Sequence, residues 1–595
     1  MPFDVDAMSA EAGPRRAALL AAAAEPVPDI PFVSFESEGV VLIYGCDAQA
    51  IEAGNLLKDD LDVTVLITPG TQMPSSAETD YPVAQGTVRS VQGHFGAFEL
   101  VVDDYRPPAS SSAQLAAFAT ARDGARSRCD LILDLSGGAA LFTAPDLHDG
   151  YLRADPGNPA AVRRAALEAC DLVGSFDKPR YIAFAPELCA HARAQRVGCR
   201  RCLDLCPAGA IAPAGDHVAI DAHVCAGCGQ CAAACPTGAA AYSLPPADIL
   251  LRKLRALLAA YAKAGGAGAV VLIHDAAHGR PLIEALGECD QQLPTNVLPF
   301  EVNEVTQVGL EAIAACFAYG ACAVRFLLRG KPRHDLSGLM QTLALAECVL
   351  TGLGFGPERA GAIETDDPDA LAAAVRELRI AEGCPRPSRF LPVGSKREVM
   401  RLSLRELHRA APSPADIVVL PKGAPFGAID IDVSGCTLCL ACVSACPTGA
   451  LGDNPEQPML RFTEDACVQC GLCAATCPEK VINLRPQLDF RAATMSARVL
   501  KEEQPFHCIR CGKPFGVRST IERITARLAG KHWMFSNGTR RLDVIKMCED
   551  CRVGAITEEA FDPHAAPSRP APRTTEDYLR ERDDMRRGRI GGGDD

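Results

Sequence analysis

The sequence predicts a multidomain chain of the α+β and α/β classes, with two cysteine-rich modules joined to α/β domains and followed by a four-cysteine element. Three observations carry this. Runs of the form C-x2-C-x2-C-x3-C-P recur in two separate regions. Around them, short apolar runs alternate with stretches of helical apolar periodicity. Near the end, two C-x2-C pairs stand a domain-sized stretch apart. At 595 residues the chain has room for about three to five domains.

Composition narrows the function classes. The 28 cysteines lie in too long a chain for a small disulfide scaffold. Their x2 grouping reads as metal ligation in a reducing compartment, so a cytoplasmic location is expected. The net charge of −14 argues against general nucleic-acid binding. No run of about 18 or more uninterrupted apolar residues occurs, so no membrane span is expected. The first residues, MPFDVDAMSAEAG, are acidic and lack the basic and apolar regions of a signal peptide.

Taken in order, residues 1–35 read as a flexible N-terminal lead. Residues 36–180 read as a Rossmann-like α/β domain. GVVLIYG is a strand, Ala48–Leu57 a helix and Val63–Thr68 a second strand. The turn Gly45-Cys46-Asp47-Ala48-Gln49-Ala50 is not G-x-G-x-x-G, so a βαβ unit without nucleotide is expected and flavin is not. Cys46 is expected to be an ordinary buried cysteine. VRSVQGHFGAFELVV reads as a hairpin turning at Gly93 or Gly96, and His94 and His148 as surface or packing residues.

Residues 181–244 contain the first cysteine array. Cys225, Cys228, Cys231 and Cys235-Pro236 form one intact run, while upstream Cys199, Cys202 and Cys206-Pro207 match positions two to four of another. The first position would fall on Arg196, and Cys189 is the available substitute, which leaves HARAQRVG as an insertion. Its flank, YIAFAPELC, parallels MLRFTEDAC before Cys467. Arg193, Arg196, Arg200 and Arg201 crowd this loop. They read first as a solvated basic surface loop, with charges that raise a reduction potential or a steering patch for an acidic partner as the alternatives.

Residues 245–390 alternate helices and strands and are expected to form a small α/β domain with a largely parallel sheet. In it, His278-Gly279-Arg280 is placed in a loop, and Cys289, Cys316, Cys322, Cys348 and Cys384 are taken as buried small hydrophobes. Residues 391–425 read as a linker. Residues 426–490 hold the second array, with Cys436, Cys439, Cys442 and Cys446 in one run and Cys467, Cys470, Cys473 and Cys477 in the next.

These tandem runs resemble bacterial-type 2[4Fe–4S] ferredoxins, in which three close thiolates hold one cubane and the fourth cysteine of the run ligates the other. The resemblance implies four clusters. Their ligand sets would be Cys189, Cys199, Cys202 and Cys235; Cys206, Cys225, Cys228 and Cys231; Cys436, Cys439, Cys442 and Cys477; and Cys446, Cys467, Cys470 and Cys473.

Residues 491–561 read as a four-cysteine metal-binding domain. Cys508, Cys511, Cys548 and Cys551 suit a zinc-ribbon-like or rubredoxin-like site holding Zn or Fe, and the same thiolates could hold a further Fe–S cluster. Trp533 is expected in a core or interface. Residues 562–595 read as a disordered tail with one short helix at Thr575–Arg586.

Two looser resemblances bear on function. VLIYGCDAQAIEAGNLL, then VRSVQGHFGAFELVVD, then a cysteine module is similar in layout to the heterodisulfide reductase A-like family of flavin and iron–sulfur electron-transfer proteins. The glycine-rich turn is missing here, so only the electron-transfer context carries over. CIRCGKPF with CEDCR resembles large ferredoxin-type proteins associated with bacterial formate dehydrogenase systems, which names a formate dehydrogenase as a partner. The expected function is single-electron relay between a donor and an acceptor protein, by a non-catalytic subunit. A flavin-containing oxidoreductase subunit and an oxidoreductase assembly factor are the alternatives.

Overall fold

The computed structural model describes residues 13–46, 48–69, 79–108, 118–288, 292–378, 383, 386–529, 539–557, 572 and 574–586. The chain divides into two compact units. The first comprises 1–428, 465–472 and 484–494, and the second 429–464, 473–483 and 495–595.

In the first unit, residues 32–179 build a seven-stranded sheet. Its order is Ala125–Cys129, Ala97–Arg106, Val83–His94, Asp62–Ile67, Val40–Gly45, Leu131–Leu135 and Tyr151–Arg153. The strands from Val83–His94 to Tyr151–Arg153 pair in parallel, while the other two extend the sheet as an antiparallel meander. Leu131–Leu135 is buried along its whole length, as a strand covered on both faces must be. The helices Ala48–Leu57 and Pro159–Cys170 cover one face through Ala50, Leu57, Val162 and Ala166. Gly45 lies so close to the first of these helices that a Cβ there would fall 2.6 Å from that of Ala50. His94 and His148 have packing roles, stacked on His223 and Phe142 respectively. Cys46 is half-buried rather than buried, because it sits just past the strand end at the sheet's rim.

The second sheet has four parallel strands in the order Val297–Val302, Val270–Asp275, Ala323–Leu328 and Ala360–Glu364. On one face lie the helices Ala247–Lys263, Leu310–Ala318 and Ser337–Gly352, whose apolar side chains share one large core. Ala247–Lys263 buries Leu250, Leu251, Leu254, Leu257, Leu258 and Tyr261, a stripe at three- and four-residue spacing. The helices Gly279–Glu288 and Pro368–Arg376 cover the other face.

Several sequence expectations are corrected here. Residues 1–35 are not simply a loose lead: Gly13–Ala23 is a helix whose Ala18 and Ala22 sit in the large core against Ala247–Lys263. Arg15 anchors it by donating to Leu293 O and Pro294 O. An Ala-rich stretch too short to be stable alone is helical here because it is packed. Residues 391–425 are likewise not a plain linker. They contain the helix Lys396–Arg409, which buries Val399, Met400, Leu404 and Leu407. Gly279 and Arg280 begin a helix rather than lying in a loop, since Asp275 Oδ1 accepts from the amides of His278 and Gly279. Cys316 and Cys322 are buried, and Cys348 is half-buried with its thiol on Val419 O. Cys289, Cys384 and Trp533 lie outside the described residues.

In the second unit, Leu451–Gly452, Met459–Phe462 and Arg498–Glu502 form an antiparallel sheet with a bulge after Leu460. The hairpin Pro505–His507 and Pro514–Val517 follows, then the helices Arg518–Leu528, Thr539–Ile545 and Glu549–Thr557. Thr575–Arg586 is helical, as expected. No helix of the described residues is long and apolar enough to cross a membrane.

Candidate metal centres

The first array folds around two short helices, Arg201–Leu205 and Gln230–Ala234, and three two-stranded ribbons. The insertion HARAQRVG is one of these ribbons. Ala192–Arg193 pairs with Arg196–Val197, and Ala194 and Gln195 turn with φ of 50° and 63°. Two successive residues of positive φ are what a two-residue hairpin turn of type I′ requires. The ladder continues inward as Gly198 N donates to His191 O and Cys199 N donates to Ala190 O at 3.0 Å. The extra residues therefore project as a hairpin, and Cys189 is returned to the neighbourhood of Cys199.

The thiols gather in two groups. Cys202 lies within electrostatic reach of Cys199, Cys235 and Cys189, and Cys228 within reach of Cys206 and Cys225. Cys231 faces Cys228, Cys225 and Cys206. Burial pushes the Cys202 and Cys228 thiols up to about 12, and the neighbouring sulfurs add to this. Burial raises Cys199, Cys206, Cys225 and Cys231 as well. Buried thiols that each oppose the ionisation of the next become a set of thiolates only around positive charge. Soft iron centres supply that charge, so the donor set fits a cluster.

Hydrogen bonds to sulfur complete the sites. Ala240 N donates to Cys235 Sγ at 3.5 Å, and the Thr237 hydroxyl lies 3.5 Å from the same sulfur. The second array repeats the Cys-Pro-Thr-Gly sequence, with the Thr448 hydroxyl 3.8 Å from Cys446 Sγ. Hydrogen bonds within the module and from the residues that follow it frame the first array. The Thr306 hydroxyl donates to Cys228 O, the Tyr242 hydroxyl donates to Gly227 O at 2.5 Å, and Asn303 Nδ2 donates to that hydroxyl at 2.8 Å. Lys396 Nζ, paired with Glu311 at 3.5 Å, donates to Ala232 O and Ala233 O at the end of the helix before Cys235.

Of the crowded arginines, three are engaged. Arg193 turns back onto Cys189 O, Ala192 O and Asp216 O; Arg200 pairs with Asp204; and Arg201 donates to Gly423 O at 2.7 Å. Arg196 is exposed near the hairpin tip.

In the second unit, Cys442 faces Cys436, Cys439 and Cys477, and burial pushes it up to about 12. These four line a pocket with Leu438 and Leu460. Leu438 N donates to Cys436 Sγ at 3.5 Å. Lys501 donates to Val433 O and Cys436 O and pairs with Glu503 at 2.7 Å, which brings a cation to the same wall. Of the remaining predicted set, Cys467 and Cys470 belong to the first unit and Cys446 and Cys473 to the second, so its grouping rests on the spacing. In the first unit, Gln469 Nε2 donates to Cys467 Sγ at 3.5 Å and to Ala428 O at 2.9 Å.

Cys508, Cys511, Cys548 and Cys551 bring their sulfurs within 4.8 Å of one another. Cys508 and Cys548 are buried, Cys551 is half-buried and Cys511 is exposed. Burial raises Cys508, but the backbone amides of Cys548, Cys511 and Arg510 and the Cys511 thiol outweigh it and bring the group down to about 6. Cys551, hydrogen-bonded to Cys511, is pushed up to about 12. The site is a compact four-sulfur cage that fits Zn or a single Fe.

Comparison with known proteins agrees with this chemistry. Residues 435–482 match the family described as 4Fe-4S dicluster domain (Fer4_9), and residues 195–239 match a second family of the same description (Fer4_7). Two 4Fe–4S dicluster domains are present. The second match begins after Cys189, so it leaves the substitute ligand to the structure. The pyruvate synthase subunit PorD of Thermotoga maritima is 38% identical over 55 residues, which is 9% of this chain and 54% of that protein. The chain thus spans about half the length of this relative. The chain carries two ferredoxin-type modules of the 4Fe–4S dicluster kind and a separate four-cysteine module suited to Zn or Fe.

Sequence reading missed the polar groups that serve these sites. Thr237 and Thr448 were accessible to it, because each follows a Cys-Pro pair. Lys396 was not, because it lies 161 residues from Cys235 in the chain.

Proposed function

We propose that this chain is a non-catalytic relay subunit that carries single electrons between a donor and an acceptor oxidoreductase. The observation that carries the reading is the return of Cys189 to Cys199 and Cys202 by the hairpin, which supports a complete four-thiolate set in an altered module. The four ligand sets are those that the spacing implies, with Zn at Cys508, Cys511, Cys548 and Cys551.

A cubane held by four protein thiolates supplies one-electron chemistry and has no open position for substrate. The protein's part is to hold, shield and tune. Ile182, Val218, Ala239 and Tyr242 wall the first array with apolar surface. Donors to Cys235 and Cys436 disperse charge on the sulfurs and favour the reduced state.

The domain limits follow the cysteine arrays: 36–180, 181–244, 245–390, 426–490 and 491–561. The 36–180 domain is Rossmann-like in that its parallel strands follow the order 3-2-1-4-5. The partners are a redox protein donor and acceptor, with a formate dehydrogenase as the leading candidate from CIRCGKPF. That PorD is a pyruvate synthase subunit supports a subunit role beside a catalytic partner.

Anaerobic purification with iron, sulfide and zinc analysis tests the reading. About sixteen irons and one zinc per chain are expected, with a low-temperature spin signal on reduction. Iron at or below about eight per chain overturns the four-cluster relay.

A further inference from the structure

The first unit brings parts of both ferredoxin modules to one place. Gly198, beside Cys199, lies against Leu472, and a Cβ at residue 198 would fall 2.5 Å from Leu472 Cγ. Only glycine permits so close an approach, and it permits it next to a cysteine of the first module. A cavity of about 620 Å³ lies at this contact, with Cys199 and Cys235 among its lining residues from the first module and Cys470 from the second.

One helix N-terminus grips both sides. Lys396 donates to Ala232 O and Ala233 O, just before Cys235. The next residue, Arg397, donates to Cys467 O at 2.7 Å and to Asp465 O at 3.4 Å, and its guanidinium lies over the Phe426 ring. Asp465 is further tied to Arg401 and Arg405 of the same helix. Ser395 caps this helix with Glu398 in a reciprocal capping box, so the two gripping residues stand on a fixed first turn.

From these contacts we infer that the Lys396–Arg397 turn and the Gly198–Leu472 contact form an electron-exchange junction between the two ferredoxin modules. One electron leaves the reduced site that includes Cys199 and Cys235, which is oxidised, and enters the oxidised site that includes Cys467 and Cys470, which is reduced. No bond is made or broken and no proton moves. The first electron comes from a one-electron protein donor. The junction rests on the relay reading above, but it can fail separately.

The test is low-temperature electron paramagnetic resonance of the fully reduced, full-length holoprotein. Variants with Cys467→Ser plus Cys470→Ser, or Cys199→Ser plus Cys202→Ser, remove one member of the proposed pair at a time. The junction predicts a magnetic interaction in the parent protein that disappears in both variants, while coupling inside the untouched module persists. Gly198→Val should weaken that interaction, and adding Leu472→Ala should restore it by clearing the clash. A parent spectrum equal to the sum of two independent modules overturns the junction, as does a Gly198→Val spectrum identical to the parent's. If iron analysis finds the clusters themselves absent, it is the relay reading that fails.

Discussion

The amide of Cys199 donates to Ala190 O at 3.0 Å, and this bond closes the neck of the hairpin that carries the eight inserted residues. The first expected outcome follows from it. Cys189→Ser should cost one cluster, bringing iron to about twelve per chain from about sixteen. Arg196→Ala, at the exposed hairpin tip, should leave iron unchanged. Iron and sulfide analysis of the two variants checks both.

Arg397 is a buried cation beside Cys467. Burial lowers its pKa to about 9, with Arg401 adding to this, so it remains charged at neutral pH. Replacing it by Gln should move the reduction potential of the site that includes Cys467 to a more negative value, because the reduced cluster carries the extra negative charge. Arg397→Lys should recover part of the shift. A redox titration followed by spin signal measures this.

The last four-cysteine site should release its metal in acid. Cys508 is held below its ordinary value of 9.0, at about 6. Its contribution is therefore fully present above 9.0 and is lost as pH falls through about 6. Zinc release into a chromogenic chelator, followed against pH, should increase as pH falls, because protons compete with the metal for the thiolates. Cys548→Ser should abolish zinc retention at neutral pH.

Glu304 works in the opposite direction. Burial first, and Asp275 after it, raise its carboxyl from 4.5 to about 7 against the opposing charges of Arg333 and Arg329. Below 4.5 both folded and unfolded chains hold the proton and no penalty arises. Between 4.5 and about 7 the unfolded chain ionises while the folded chain keeps its proton, so about 3 kcal/mol of stability is lost across this window and no more above it. Urea titration of the full chain at several pH values should show this decline. Glu304→Gln should flatten it.

The helix Lys396–Arg409 shows how sequence reading can miss an element. Ser395 and Glu398 spell a capping box, and Val399, Met400, Leu404 and Leu407 supply an apolar stripe. Both signals are local and legible in the sequence, although residues 391–425 read there as a linker. The helix Gly13–Ala23 is different. Its composition has little amphipathic contrast, and it is helical because Ala18 and Ala22 find a core made by residues more than two hundred positions away.

The sequence by itself determined the metal chemistry. Cysteines at x2 and x3 spacing can surround a cluster whatever the rest of the chain does, because that constraint is local. It also determined the alternation of strands and helices in the two α/β domains. Only the tertiary structure decided how Cys189 rejoins its set, where the buried cations Lys396 and Arg397 act, and that Gly198 meets Leu472. Each of these joins residues through folded backbone or across long chain separations, and no local pattern encodes which distant groups will share a site.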